Sequence, residues 1–214
     1  MAINFQELKI YPICDTDIWV DINIAKIDNL LFSKYKKIIF ADVVENEISC
    51  WKSDMQFSFI SENYRKYKAA NKIIVINHSD IEEDDRVLFE KQLHDLSDRY
   101  GFNFKNGLKD NPHDHNKGEI VSAIYADNYK IPFLKSNDGI FKSGNAGNIA
   151  FPNLIVKNRR QMLLDLLEDQ NKVFTYSQSI EDCRTFMKEG KRIYENDKAS
   201  EEYIMEKLKK LIGR

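Results

Sequence analysis

An α/β fold with a central parallel sheet is what this sequence predicts, and three observations predict it. Short apolar runs such as IYPIC, KIIF and IPFL recur along the chain, as expected of strands buried on both faces. Longer amphipathic stretches lie between them, so the order is largely strand then helix. Several of the apolar runs stop at an acidic residue, which delivers carboxylates to the sheet's carboxyl edge, where open α/β sheets keep their sites. Right-handed crossovers turn such a series into a three-layer α/β/α sandwich.

Each element follows in turn. Residues 8–14 read as a first strand, and residues 17–27 as a helix with Ile18, Ile22 and Ala25 on one face. Residues 37–41 repeat the strand signal, and Asp42 caps a helix on which Val43, Val44, Glu47 and Ile48 share a face. A polar helix over 57–71 precedes a third strand at 72–77, and 81–99 reads as an amphipathic helix with an acidic opening turn. Two glycines, a proline and many polar side chains make 100–117 a loop. A helix over 118–129, a fourth strand at 131–135 ending in Ser-Asn-Asp-Gly and a fifth strand at 153–156 complete the core. Beyond it the composition becomes charged and helix-forming, with helices expected over 159–169, 180–191 and 200–212. The organisation expected is therefore a core of residues 1–157 with a helical extension, 158–214, packed on it.

Bulk composition narrows the function classes. The chain has 214 residues, 43% hydrophobic and 31% charged, an ordinary globular balance that argues against disorder. A net charge of −2 gives no global pull toward nucleic acid or anionic lipid, so any polyanion contact is local. Cys14, Cys50 and Cys183 are odd in number and far apart, which disfavours structural zinc and a disulfide framework. Neither a leader peptide nor a spanning segment is legible, so a cytoplasmic address and no membrane partner are expected.

Four acidic motifs carry the chemistry: ICDTDIWVDI, ADVVENEIS, NKGEIVSAIYA and FLKSNDGIF. Taken singly each has a plain explanation. Asp15 is a favourable helix N-cap, Glu47 and Glu119 suit a helix's first turns, and Asp138 suits a turn. Taken in order, they resemble the motifs of the PIN-domain nucleases over residues 8–157. Asp15 matches the family's first acid, Glu47 the second, Glu119 the third, and Ser136, Asn137, Asp138 and Phe141 the fourth motif. The resemblance implies a PIN-like fold for 1–157 and a metal-dependent endoribonuclease that hydrolyses single-stranded RNA, with DNA as an alternative substrate. It implies Mg²⁺ or Mn²⁺ held by Asp15, Glu47, Glu119 and Asp138, with Thr16, Asp17, Ser136 and Asn137 in support. A toxin or defence-associated role, an inhibitory antitoxin-like partner and a homodimer are all compatible with it.

The residue chemistry agrees independently. Carboxylates crowded at one edge repel each other by about 1–4 kcal/mol per close pair, and hard divalent cations choose oxygen ligands. One or two ions, acidifying a water and neutralising the leaving oxygen, would make a protein nucleophile unnecessary. For nucleic acid, the cluster Tyr64, Arg65, Lys66, Tyr67 and Lys68 can meet phosphate and stack on unpaired bases, although a solvated helix face explains it too. Trp51 and Lys52 extend this cluster. His113 and His115 have an H-x-H spacing, for which a solvated loop is the simpler explanation. Two other functions compete. In a phosphatase of the haloacid dehalogenase type, Asp15 would be the nucleophile and Asp17 the general acid, but Ile18-Trp19 stands where Gly-Thr is usual. A PIN-like binding or scaffold module would need no catalysis at all.

Overall fold

The computed structural model describes residues 5–53, 57–100, 116–134, 141 and 145–196. Its strands are β1 (Ile13–Cys14), β2 (Ile38–Ala41), β3 (Ile73–Ile76), β4 (Phe133–Leu134) and β5 (Val156–Lys157). They form one sheet in the order β3-β2-β1-β4-β5, every pairing parallel. All four residues of β2 are buried, as an uninterrupted Ile-Ile-Phe-Ala run between two helical layers requires. The first strand is shorter than expected. Pro12 has no N–H to give a ladder, so pairing on that strand begins with Ile13, while the Pro12 carbonyl still accepts from Ile39 at 2.9 Å. Leu8, expected in the strand, ends the short helix α1 (Phe5–Leu8).

Helices flank the sheet. These are α2 (Thr16–Ala25), α3 (Asp28–Tyr35), α4 (Asp42–Cys50), α5 (Ser58–Ala69), α6 (Glu83–Tyr100), α7 (Lys117–Tyr129), α8 (Ala146–Ala150), α9 (Arg159–Leu167) and α10 (Gln170–Asn196). The periodicity of residues 17–27 predicts one apolar stripe, yet α2 is buried nearly all round, from Ile18 to Asn23 and at Ala25. Helices α3, α4, α5 and α10 pack against it, and its Trp19 meets Phe40 of the sheet. Helix α7 is similarly enclosed, packing on β1, β2 and β4 as well as on α4 and α6.

Aromatic packing ties α2 and α5 to the sheet. The Trp19 ring meets Phe40 edge-on at 5.9 Å and Tyr64 edge-on at 6.0 Å. Its indole N–H donates to the Ile60 carbonyl at 3.0 Å, so the buried polar atom has a partner. Burying such a side chain stabilises the fold by roughly 1.5–3 kcal/mol. Met162, Leu163, Val173 and Ile180, from α9 and α10, belong to the same buried cluster as the sheet. The carboxy-terminal helices thus extend the core.

Strand order sets the location of the site. From β1 the chain steps to β2 and β3 on one side, then returns to β4 and β5 on the other. The gap between the carboxyl ends of β1 and β4 is therefore a topological switch point, where crossovers leave in opposite directions. Asp15 follows β1 directly, and its backbone N–H donates to Leu134 of β4 at 3.2 Å.

Candidate active site

Asp15 is held rigidly. It is the N-cap of α2 with extended backbone, and its Oδ1 accepts from the Ile18 N–H at 2.8 Å. The plain expectation for this residue is thus met, and it does not exhaust the residue: the carboxylate is buried at 2% exposure at the switch point, where a cap alone could sit in solvent.

Glu47 comes to the same place from α4. Val43, Val44 and Ile48 bury the inner face of that helix, which carries Glu47 to the carboxyl edge. The Thr16 hydroxyl donates to Glu47 Oε2, and the Gly118 N–H also donates to this carboxylate. Gly118 lies in the first turn of α7, where the positive end of the helix dipole favours an anion. The fit there is close: a Cβ built on Gly118 would lie 2.6 Å from Glu47 Oε1. A side chain there would require the Glu47 carboxylate to shift.

Burial pushes Glu47 up to about 7, and the neighbouring charges of Asp15 and Asp17 push the same way, against the hydrogen bonds from Thr16 and Gly118. A carboxyl that holds its proton near neutrality because of burial and like charges marks a functional-site candidate. Glu119 is the next residue after Gly118, half-buried in the first turn of α7. Asp15, Thr16, Asp17, Glu47 and Gly118 therefore meet, with Glu119 adjoining through Gly118. Ser136, Asn137 and Asp138 lie outside the described residues, as do His113, His115, most of the 100–117 loop and the helix expected over 200–212.

Asp17 turns partly away. Arg184 of α10 donates through Nη2 to the Asp17 carbonyl at 3.0 Å and to its Oδ1 at 3.1 Å. The same guanidinium donates through Nε to Asp21 Oδ1. Arg159 of α9 donates to Asp21 Oδ2 at 2.7 Å and to Glu181 at 3.1 Å. Asp21 is fully buried, and burial raises it while both arginines oppose that. None of this was foreseen from sequence. The available signal was an acid, Asp21, inside a stretch with apolar residues on both sides of it.

Asp42 does more than cap α4. Its Oδ1 accepts from Val43 at 2.9 Å, and its Oδ2 accepts from the His78 N–H at 2.9 Å, tying the ends of β2 and β3 together. His78 in turn meets the Tyr125 hydroxyl at 3.3 Å and Glu90 at 3.1 Å. A cleft of about 380 Å³ opens there, lined by His78, Glu83, Arg86, Val87 and Glu90. It contains none of the sequence-predicted acids.

The aromatic part of the expected nucleic-acid cluster belongs to the core. Tyr64 is buried against Trp19 and Phe40, and Tyr67 packs at a tilt on Phe32 while donating its hydroxyl to Asp28. Trp51 is half-buried and edge-on to Phe57. Arg65, Lys66 and Lys68 are exposed on α5. Lys68 pairs with Glu45 on α4, and Lys66 lies over the Tyr67 ring at 5.6 Å.

Asp15, Glu47 and Glu119 offer oxygen donors of the hard kind that divalent cations take. Among the described residues, no three His, Cys, Asp or Glu side chains form a ready-made metal cluster. No described helix is long and apolar enough to cross a membrane. No family model matches the chain, and no curated protein or solved structure is significantly similar to it.

Proposed function

We propose that this chain is a metal-dependent endoribonuclease of the PIN type, hydrolysing phosphodiester bonds in single-stranded RNA. The observation that carries the reading is Glu47: a carboxyl from α4 brought against Asp15 at the switch point, cradled by the Gly118 amide and held near neutrality by its surroundings. Asp15, Glu47 and Glu119 would hold Mg²⁺ or Mn²⁺, with Asp138 as the fourth acid of the motif set. The cation, when bound, supplies charge neutralisation and an acidified water.

The chain's own residues do the rest. The Ile18 amide fixes the Asp15 carboxylate, so its oxygens are preorganised and no rotamer search accompanies ligation. The Thr16 hydroxyl and Gly118 amide orient Glu47. Glu47 must shed its proton to become a ligand, which couples binding to pH close to neutrality. Arg65 and Lys66, exposed on α5, supply local positive charge for a phosphate backbone on a chain of net charge −2, and Lys68 adds to it only by leaving Glu45. The phosphatase alternative asks Asp17 to act as general acid, and the grip of Arg184 on its carboxylate argues against that.

The test is incubation of labelled single-stranded RNA with the protein and Mn²⁺, beside Asp15→Asn and Glu47→Gln variants. Loss of cleavage of roughly a hundredfold or more in both variants is expected, the scale on which removal of a metal ligand or catalytic group acts. Cleavage untouched by either substitution refutes the assignment.

A further inference from the structure

Two arginines converge on one buried aspartate, and the second has an arm to spare. Arg159 by itself supplies a counter-charge for Asp21 at 2.7 Å. Arg184 takes the other oxygen of Asp21 and then extends through Nη2 to both the carbonyl and the carboxylate of Asp17. Asp17 has no stabilising need for this cation. It lies in the first turn of α2, where the helix dipole already favours a negative charge. It also directly follows Thr16, whose hydroxyl donates to Glu47, and stands two residues from the Asp15 cap, so its charge lies beside the acidic edge. Whatever neutralises Asp17 therefore changes the field at the acidic edge.

We propose that Arg184 is a positioning residue of the acidic site: by holding Asp17 it sets the negative charge that a divalent cation meets beside Asp15 and Glu47. Helix α10 thereby tunes metal affinity from behind α2. This inference rests on the metal-site reading above. Among the described residues, the charged groups around Arg184 include Asp17 and Asp21 on α2, with Arg159 of α9 on the far oxygen of Asp21 and Glu181 of α10 on Arg159. With Arg184 and Asp17 cancelling, the cation is held by the remaining acids loosely enough to keep positions for substrate phosphate, as Mg²⁺ sites commonly do.

A charge cycle tests this, read as Mn²⁺ affinity of the full chain by calorimetry at slightly alkaline pH. Arg184→Gln uncovers the Asp17 charge and tightens Mn²⁺ by about fivefold or more, whereas Asp17→Asn leaves Arg184 in excess and weakens it by about as much. The double variant falls between the two, and Arg184→Lys stays close to the wild type. A brace without electrostatic influence cannot produce opposite signs from two partners of one ion pair. Should Arg184→Gln fail to fold, Asp17→Asn decides, because Asp21 keeps both of its arginines; unchanged or tighter Mn²⁺ binding there overturns the proposal. Equal or same-sign effects of the two single variants also overturn it, and if Asp15→Asn still abolishes binding the metal-site reading survives. Absence of Mn²⁺ binding by the wild type at millimolar concentration overturns both.

Discussion

Replacing Glu47 with glutamine should stabilise the metal-free protein, and increasingly so as pH rises. An unfolded chain releases the Glu47 proton near 4.5, and the folded chain near 7. The folded form thus grips this proton more tightly, so the stability associated with it is fully present below about 4.5 and is lost as pH rises through about 7. At about 1.4 kcal/mol per pH unit of difference, Glu47 costs the apo protein about 2–3 kcal/mol more at pH 8 than at pH 5. Glu47→Gln keeps the shape and an acceptor for the Thr16 hydroxyl while removing the charge. Urea unfolding of both proteins at the two pH values, with chelator present, gives the wild-type minus variant difference. That difference should move by about 2–3 kcal/mol, or roughly 4–12 °C in Tm for a chain of this size. Saturating Mn²⁺ at the higher pH should restore wild-type stability in proportion to its affinity and do little for the variant. An identical difference at both pH values would show that Glu47 ionises normally, and the argument for a charged site at the switch point would fall with it.

Three further outcomes are expected. Gly118→Ala drives a methyl into the space now held by Glu47 Oε1; Mn²⁺ affinity should fall by about tenfold while thermal stability stays within about 1 kcal/mol, since alanine is the better helix former, as calorimetry and melting curves will show. Thr16→Val removes the hydroxyl that holds Glu47 down, so the midpoint of Mn²⁺ binding against pH should move upward. Arg159→Ala leaves the fully buried Asp21 with Arg184 as its remaining counter-charge and one oxygen without its donor, and should destabilise the protein by about 1–3 kcal/mol in urea unfolding.

Local chemistry was sufficient for much of the architecture. Continuous Ile-Ile-Phe-Ala and Ile-Ile-Val-Ile runs have no solvent face to offer, so parallel burial followed from them alone. An aspartate after an apolar strand and before Ile18-Trp19 is an N-cap by its own hydrogen-bonding geometry, and Asp15 caps α2 as expected. Helix α3 was overlooked because Asp28–Tyr35 places only Leu31 and Phe32 in the core, too short a signal to stand out. Helix α10 is longer than expected, although Val173, Tyr176, Ile180, Cys183 and Met187 carry a three-four spacing through most of it.

By itself, then, the sequence determined the α/β class, the parallel strands and the candidate acids Asp15, Glu47 and Glu119, because periodicity and capping act between residues a few positions apart. Only the tertiary structure decided that Glu47 docks on the Gly118 amide and the Thr16 hydroxyl, that Tyr64 and Tyr67 serve the core, and that Arg184 reaches Asp17 across 167 positions of chain. Those contacts depend on strand order and on which helix covers which face. Charge acts through space, and no local pattern records which distant residue will stand next to it.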